Sequence, residues 1–255
     1  MLIDTHAHLT DIAFEGDREK VVQLSKELTV EKIITSGFNL CSSMDALHFC
    51  QDKDGVFASV GVYPENIYEL NDQVEKELEK LAKEPKVVAV GEIGLQYTDG
   101  MPDKESQKIG FVKQIRLACK VKKPIVIHCR EAYGDTLEIL KQNRDYLQYG
   151  GTMHCYGGSK QVAQQLIDLG LYISVGGVST FKNAKNLQEV LKEIPLEKMV
   201  LETDCPYLTP SPYRGKRNSP EYISLIAQNL ALLKGISVEE VATVTTENAR
   251  RLFKI

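Results

Sequence analysis

An alternation repeated eight times along the chain most constrains its fold: a short apolar, β-branched run, then a stretch with helical periodicity. The runs are Leu2 to His6, Lys32 to Ser36, Val56 to Val60, Val87 to Gly91, Pro124 to His128, Gly151 to His154, Leu171 to Val175 and Met199 to Glu202. Most are apolar throughout instead of alternating, as strands covered on both faces are. The connections carry helical spacing, for example Val21, Leu24 and Leu28, then Phe111, Ile115 and Ala118, then Val162, Leu166 and Leu169 before a capping Gly170. Later, Ile223, Ile226, Leu230 and Leu233 follow a Ser219-Pro220 start, and Ser237 with Glu240 forms a capping box. Eight such units in 255 residues predict a single (β/α)8 TIM barrel over residues 1–255, α/β in class, with its active site at the C-terminal ends of the strands. A doubly wound open sheet is the alternative. No Pro/Gly/Ser linker or low-complexity tract divides the chain.

Composition narrows the setting. Hydrophobic residues make up 43% and charged residues 26%, as in a soluble protein with a substantial core. The net charge of -4 disfavours bulk electrostatic capture of nucleic acid, so a polyanion would have to be held locally. The six cysteines form no C-x-x-C pair, no leader precedes the first strand, and no apolar run approaches the ~20 residues that cross a bilayer. These features predict a cytoplasmic protein, not membrane-bound, acting as a monomer or small oligomer.

Residues able to hold a metal recur where the predicted strands end. His6 and His8 close the first strand two positions apart, a spacing that puts both imidazoles on one face. Glu92 follows the fourth strand, His128 ends the fifth, His154 ends the sixth and Asp204 follows the eighth. Taken singly, each has a simpler explanation as a loop hydrogen bond or a helix cap. Taken together, without a compensating cationic side chain, they would be costly to bury unless cations filled the site. Six ligands suffice for two divalent metal ions, with Glu92 bridging one on His6, His8 and Asp204 and another on His128 and His154. Zinc, manganese, iron and magnesium all suit such a set. Paired cations activate water for hydrolysis, with Asp204 the candidate to orient or deprotonate it. His48 falls outside the set, in a helical run. Cys129, Cys155 and Cys205 each follow a proposed ligand, and strand alternation aims them outward as packing residues.

Ordered motifs along nearly the whole chain resemble the TatD family of metal-dependent deoxyribonucleases, a branch of the amidohydrolase-like barrels. They include Asp4-Thr-His-Ala-His-Leu9, Val90-Gly-Glu-Ile-Gly-Leu95, Ile127-His-Cys-Arg-Glu-Ala132, His154-Cys-Tyr-Gly-Gly-Ser159, Ile173-Ser-Val-Gly-Gly177, Thr180-Phe-Lys-Asn-Ala184, Glu202-Thr-Asp-Cys-Pro206 and Arg214-Gly-Lys-Arg-Asn218. The resemblance implies divalent metals on His6, His8, Glu92, His128, His154 and Asp204, and phosphodiester hydrolysis, often exonucleolytic on single-stranded DNA; Asp204 and Glu92 are the candidate catalytic residues. Two motifs depart from the family's usual pattern. Gly61-Val-Tyr-Pro-Glu65 stands for Gly-Ile-His-Pro-His, placing Tyr63 where a histidine is expected near the scissile phosphate, and Gln96 stands for the aspartate of Gly-Leu-Asp-Tyr. A phenol donates a hydrogen bond but is a poor acid or base near neutral pH.

The basic loop Pro212-Tyr-Arg-Gly-Lys-Arg-Asn-Ser219 supplies candidate DNA contacts: Arg214 and Arg217 for phosphates and Tyr213 for stacking on a base. Arg130 is a second phosphate contact or a partner for Glu202. Two other functions share the same metal set. One is hydrolysis of small amides, lactones or esters; many carbonyl-hydrolysing relatives carry a carbamylated lysine on strand four, and Val87 to Leu95 contains none. The other is a catalytically silent metal-bound scaffold.

Overall fold

In the computed structural model, which describes residues 1–255, each apolar run is a strand of one parallel sheet whose neighbours follow sequence order. The strands are β1 (Leu2–Ala7), β2 (Val30–Ser36), β3 (Val56–Val60), β4 (Val87–Gln96), β5 (Ile125–Arg130), β6 (Gly151–Met153), β7 (Leu171–Val175) and β8 (Met199–Leu201). The first and last meet: Ala7 bridges Cys205 in parallel, Asp204 N donates to His6 O at 2.9 Å, and His8 N donates to Cys205 O at 2.7 Å. That seam makes the sheet a (β/α)8 barrel and excludes the doubly wound alternative, whose edges stay apart.

The helices are α1 (Arg18–Leu28), α2 (Leu40–Cys50), α3 (Asp72–Ala82), α4 (Lys104–Val121), α5 (Tyr133–Gln142), α6 (Lys160–Asp168), α7 (Lys185–Glu193), α8 (Ile223–Lys234) and α9 (Val238–Phe253). Side-chain caps start several of them, among them Asn39 on Ser42 N, Asp103 on Ser106 N and Ser237 on Glu240 N. Gly170, at φ +86°, follows α6 as the sequence predicts. Ser219 does not cap its helix, because its hydroxyl is turned to Glu221. In α1 the buried face is Val21, Val22 and Ser25, so Leu24 and Leu28 face solvent, contrary to their predicted role. No helix is long and apolar enough to cross a membrane.

Two apolar layers result. The larger joins the outward faces of the strands to the surrounding helices. The smaller joins Ile3, Ile34, Val88, Val126, Tyr172 and Val200 to Ala249, Leu252 and Phe253, so the end of α9 packs on the strands' N-terminal side. With that end filled, the cavity lies at the other, where the strands' C-termini gather the polar residues. Strand β4 runs ten residues, every one buried, and extends past the predicted Gly91, so Glu92 lies inside the strand instead of after it. At Gly94 (φ +146°) a Cβ would sit 1.9 Å from His128 O, so the close pairing of β4 with β5 requires glycine there.

Candidate metal centre

Local irregularities aim the ligands. A register shift between Asp4 and Ala7 interrupts β1, and another between Val90 and Ile93 interrupts β4 around Glu92. His8 lies one residue beyond the end of β1. The two histidines therefore converge through a bulge and a strand end instead of the regular alternation the sequence predicts. Asp204 and Cys155 stand at φ +58° and +44°, left-handed positions that redirect the chain just past β8 and β6.

The candidate ligands meet. His6 Nε2 lies 3.1 Å from His8 Nε2 and 3.3 Å from Glu92 Oε2; His8 Nε2 lies 3.4 Å from Asp204 Oδ1. His154 Nε2 lies 3.7 Å from Glu92 Oε1 and 3.8 Å from Asp204 Oδ1, and His128 Nδ1 lies 2.9 Å from Glu92 Oε1. Glu92 thus faces His6 and His8 with one oxygen and His128 and His154 with the other.

The outer nitrogens show what the inner ones can do. His8 Nδ1 faces Ser36 O at 3.1 Å, His154 Nδ1 faces Glu202 Oε2 at 3.1 Å, and His128 Nε2 faces Gln96 Oε1 at 2.9 Å. Each partner only accepts, so each outer nitrogen donates, which leaves the inner nitrogen with a lone pair to present whenever the ring is neutral. His6 Nδ1 lies 3.2 Å from Ser36 Oγ, which in turn accepts from Ser59 Oγ at 2.8 Å. His128 Nδ1 is buried and makes no hydrogen bond although Glu92 is beside it. Imidazole nitrogens and carboxylate oxygens converging so closely, with no cationic Lys or Arg side chain among them, are the donor set a divalent cation satisfies.

Charge points the same way. Burial alone would raise Glu92 and Asp204, but the facing histidines, His154 and His6 for Glu92 and His154 and His8 for Asp204, hold both carboxyls below their usual range. Burial would lower His154, yet Glu202, Glu92 and Asp204 raise it to about 10, so in the metal-free protein a proton stands in for missing positive charge. Burial, with His154 opposite, lowers His6, whereas His8 is raised despite burial by its bond to Asp204.

The cavity above this cluster has a volume of about 970 Å³ and is lined by His8, Glu92, His128, His154 and Asp204 with Tyr63, Arg130, Phe38 and Tyr207 among others. Arg130 is exposed there, and Glu202 is fully buried and engaged with His154 and Cys155 N, so the two are not the pair the sequence offered as one option. Tyr213, Arg214 and Arg217 do not line it. Arg217 makes a bidentate pair with Asp17, Arg214 packs over Phe181 at 3.8 Å, and Tyr213 stacks on Tyr222 at 5.1 Å. Cys129 and Cys155 do line the cavity, against their predicted outward packing; Cys155 turns in because the chain has left β6. Cys205 is buried and His48 is exposed on α2.

Sequence reasoning passed over the partners of the ligands: Ser36, Glu202 as a support for His154, and Asp4, whose carboxylate accepts Thr203 N at 2.9 Å and Thr203 Oγ1 at 2.5 Å across the β1–β8 seam. Asp4 and Glu202 were visible as acidic residues two positions from ligands, a spacing that in a strand puts them on the ligand's own face.

The family described as TatD related DNase matches residues 3–254. The chain is 42% identical to the uncharacterized metal-dependent hydrolase YabD of Bacillus subtilis over 100% of both chains. It is 33% identical to the 3'-5' ssDNA/RNA exonuclease TatD of Erwinia tasmaniensis, again over 100% of both. Among solved structures, the TatD homolog YJJV of Escherichia coli superposes with a TM-score of 0.93 at 30% identity, covering 100% of this chain and 98% of that one.

Proposed function

The chain belongs to the family of TatD-related DNases, and we propose that its metal-dependent hydrolysis is directed at phosphodiester bonds of nucleic acid, with single-stranded DNA ends as substrate. The observation that carries this reading is the convergence of His6, His8, Glu92, His128, His154 and Asp204 on one cavity floor, with outer nitrogens committed elsewhere. These residues would hold two divalent cations, which supply Lewis-acid activation of the phosphoryl group and of water and neutralise the leaving oxygen.

The remaining work falls to the chain's own side chains. Asp204 directs Oδ1 into the histidine cluster while its side chain stays 12% open to the cavity, so the carboxylate has an oxygen for orienting water and taking its proton. Arg130, at the rim, is the guanidinium able to grip a non-bridging phosphate oxygen. The neighbouring lining residues Asp11, Glu65 and Glu131 are acidic. A long polyanion laid across the mouth would meet repulsion; a chain end entering by one phosphate would not.

The test uses metal-stripped protein given manganese, magnesium or zinc, with end-labelled single- and double-stranded DNA, RNA and a panel of esters and lactones, beside a Glu92→Gln control. Metal-dependent release of mononucleotides by the wild type only is the expected result. Turnover of esters or lactones without nucleolysis would transfer the site to carbonyl chemistry, and no turnover with metals bound would leave a silent scaffold.

A further inference from the structure

Tyr63 and Gln96, each a departure from the family's motifs and thirty-three positions apart in the chain, touch. Tyr63 Oη donates to Gln96 Oε1 at 2.5 Å, and the same oxygen accepts from His128 Nε2 at 2.9 Å, while the amide nitrogen of Gln96 donates to Thr98 Oγ1 at 2.8 Å. We infer that Tyr63 and Gln96 form one positioning unit that holds His128 in the tautomer whose Nδ1 lone pair faces the metal centre. The inference rests on the metal-dependent reading above and adds to it the residues that make His128 a ligand.

The tautomer is the point at issue because Tyr63 Oη also lies 3.1 Å from His128 Nε2. A phenol on its own would donate into that nitrogen. His128 would then carry its proton on Nδ1, 2.9 Å from Glu92 Oε1, and the histidine and the carboxylate would close on each other instead of on a cation. Gln96 prevents this by accepting the phenol's hydrogen bond on its own carbonyl oxygen. The same oxygen accepts from Nε2–H, so the ring's other nitrogen keeps its lone pair. Acidic shape-mates would do the same through charge; here the pair is neutral.

Helix α4 supplies the template. Gln107 and Gln114 are fully buried and two helical turns apart, on one face. Gln107 brackets the main chain of Gln96, accepting from its N at 2.8 Å and donating to its O at 2.8 Å. Gln114 brackets Val62 in the same way, at 2.7 and 2.9 Å, one residue before Tyr63. One helix face therefore sets the separation of the two strand ends that carry the pair.

The experiment reads the proton directly. Nitrogen-15 NMR of the metal-free protein assigns the protonated nitrogen of His128 in wild type, Gln96→Leu, Gln96→Glu and the double variant Tyr63→Phe/Gln96→Leu, and calorimetric titration with Zn²⁺ follows affinity in each. The wild type and Gln96→Glu are expected to carry the proton on Nε2. Gln96→Leu is expected to move it to Nδ1 and to weaken one of the Zn²⁺ positions about 10–100-fold. Removing the phenol's hydroxyl in the double variant takes away the donor into Nε2 and is expected to recover part of that loss, which a merely structural role for Gln96 would not allow. Gln96→Leu with the proton still on Nε2, or a double variant as weak as the single, would overturn the inference. Failure of the wild type to take up Zn²⁺ would instead strike the functional reading, and the tautomer measurement would still decide this one.

Discussion

His6 Nε2 and His8 Nε2 lie 3.1 Å apart, within hydrogen-bond distance of each other, and each also faces a carboxylate oxygen. Two imidazoles approach so closely when a cation or a shared proton stands between or beside them.

In the metal-free protein the proton is chiefly that of His154, raised to about 10 despite burial by Glu202, Glu92 and Asp204. A divalent cation binding at neutral pH has to expel it. Apparent metal affinity should therefore rise with pH until about 10, and binding should release protons. Titration calorimetry in buffers of different ionisation enthalpy measures this, and a binding heat independent of the buffer would contradict it.

Glu202 is fully buried, with Oε2 on His154 Nδ1 and Oε1 on Cys155 N. Glu202→Gln keeps the size but removes the charge behind His154. Metal affinity should fall about 10–100-fold with the far-ultraviolet circular dichroism unchanged. The same variant should lower the pKa of His154, so the proton release just described should shrink with it.

The clustering of the candidate ligands was legible in the sequence because barrel geometry turns a one-dimensional cue, a polar residue ending an apolar run, into a three-dimensional address. Glu92 ends no predicted run in the structure, yet it reaches the site because the register shift in β4 aims it there. The basic loop illustrates the opposite case. Arg217 and Arg214 read as phosphate contacts from charge and proximity to Asp204, but Asp17 and Phe181 come from distant parts of the chain and claim them first. The link between Tyr63 and Gln96 was illegible for a similar reason: it depends on how far α4 holds β3 from β4, a distance set by Gln107 and Gln114.

Arg130 and Arg217 should therefore separate by function. Arg130→Ala removes a cation from the cavity rim and should raise KM for DNA and flatten the salt dependence of binding. Arg217→Ala breaks an ion pair with Asp17 whose partners are each more than a third exposed, together with packing over Phe14. Its melting temperature should barely change, since an exposed ion pair contributes little, and KM should stay unchanged. Nuclease kinetics at two salt concentrations, beside thermal melts, distinguish the two; a raised KM in Arg217→Ala would return that residue to the substrate path.

Gly94 joins stability to the metal site. It pairs with His128 across β4 and β5, and a methyl group there would meet His128 O at 1.9 Å, His128 C at 2.9 Å and His128 N at 3.0 Å. The obstacle is main chain on both sides, so neither strand can yield by turning a side chain. Gly94→Ala should cost on the order of 3 kcal/mol, with His128 pushed away from Glu92. Gly100 is the control, since it also has positive φ (+83°) but nothing within 4 Å of an added Cβ; Gly100→Ala should cost only about 1 kcal/mol, for the backbone conformation alone. Urea unfolding of both variants sets a positive φ with main chain in the way against a positive φ in open space, and the excess cost of Gly94→Ala reports the clash together with the greater strain of φ +146° over +83°. Zn²⁺ titration then asks whether the clash reaches the site: Gly94→Ala should lose affinity and Gly100→Ala should not, and equal behaviour of the two would detach the β4–β5 spacing from metal binding.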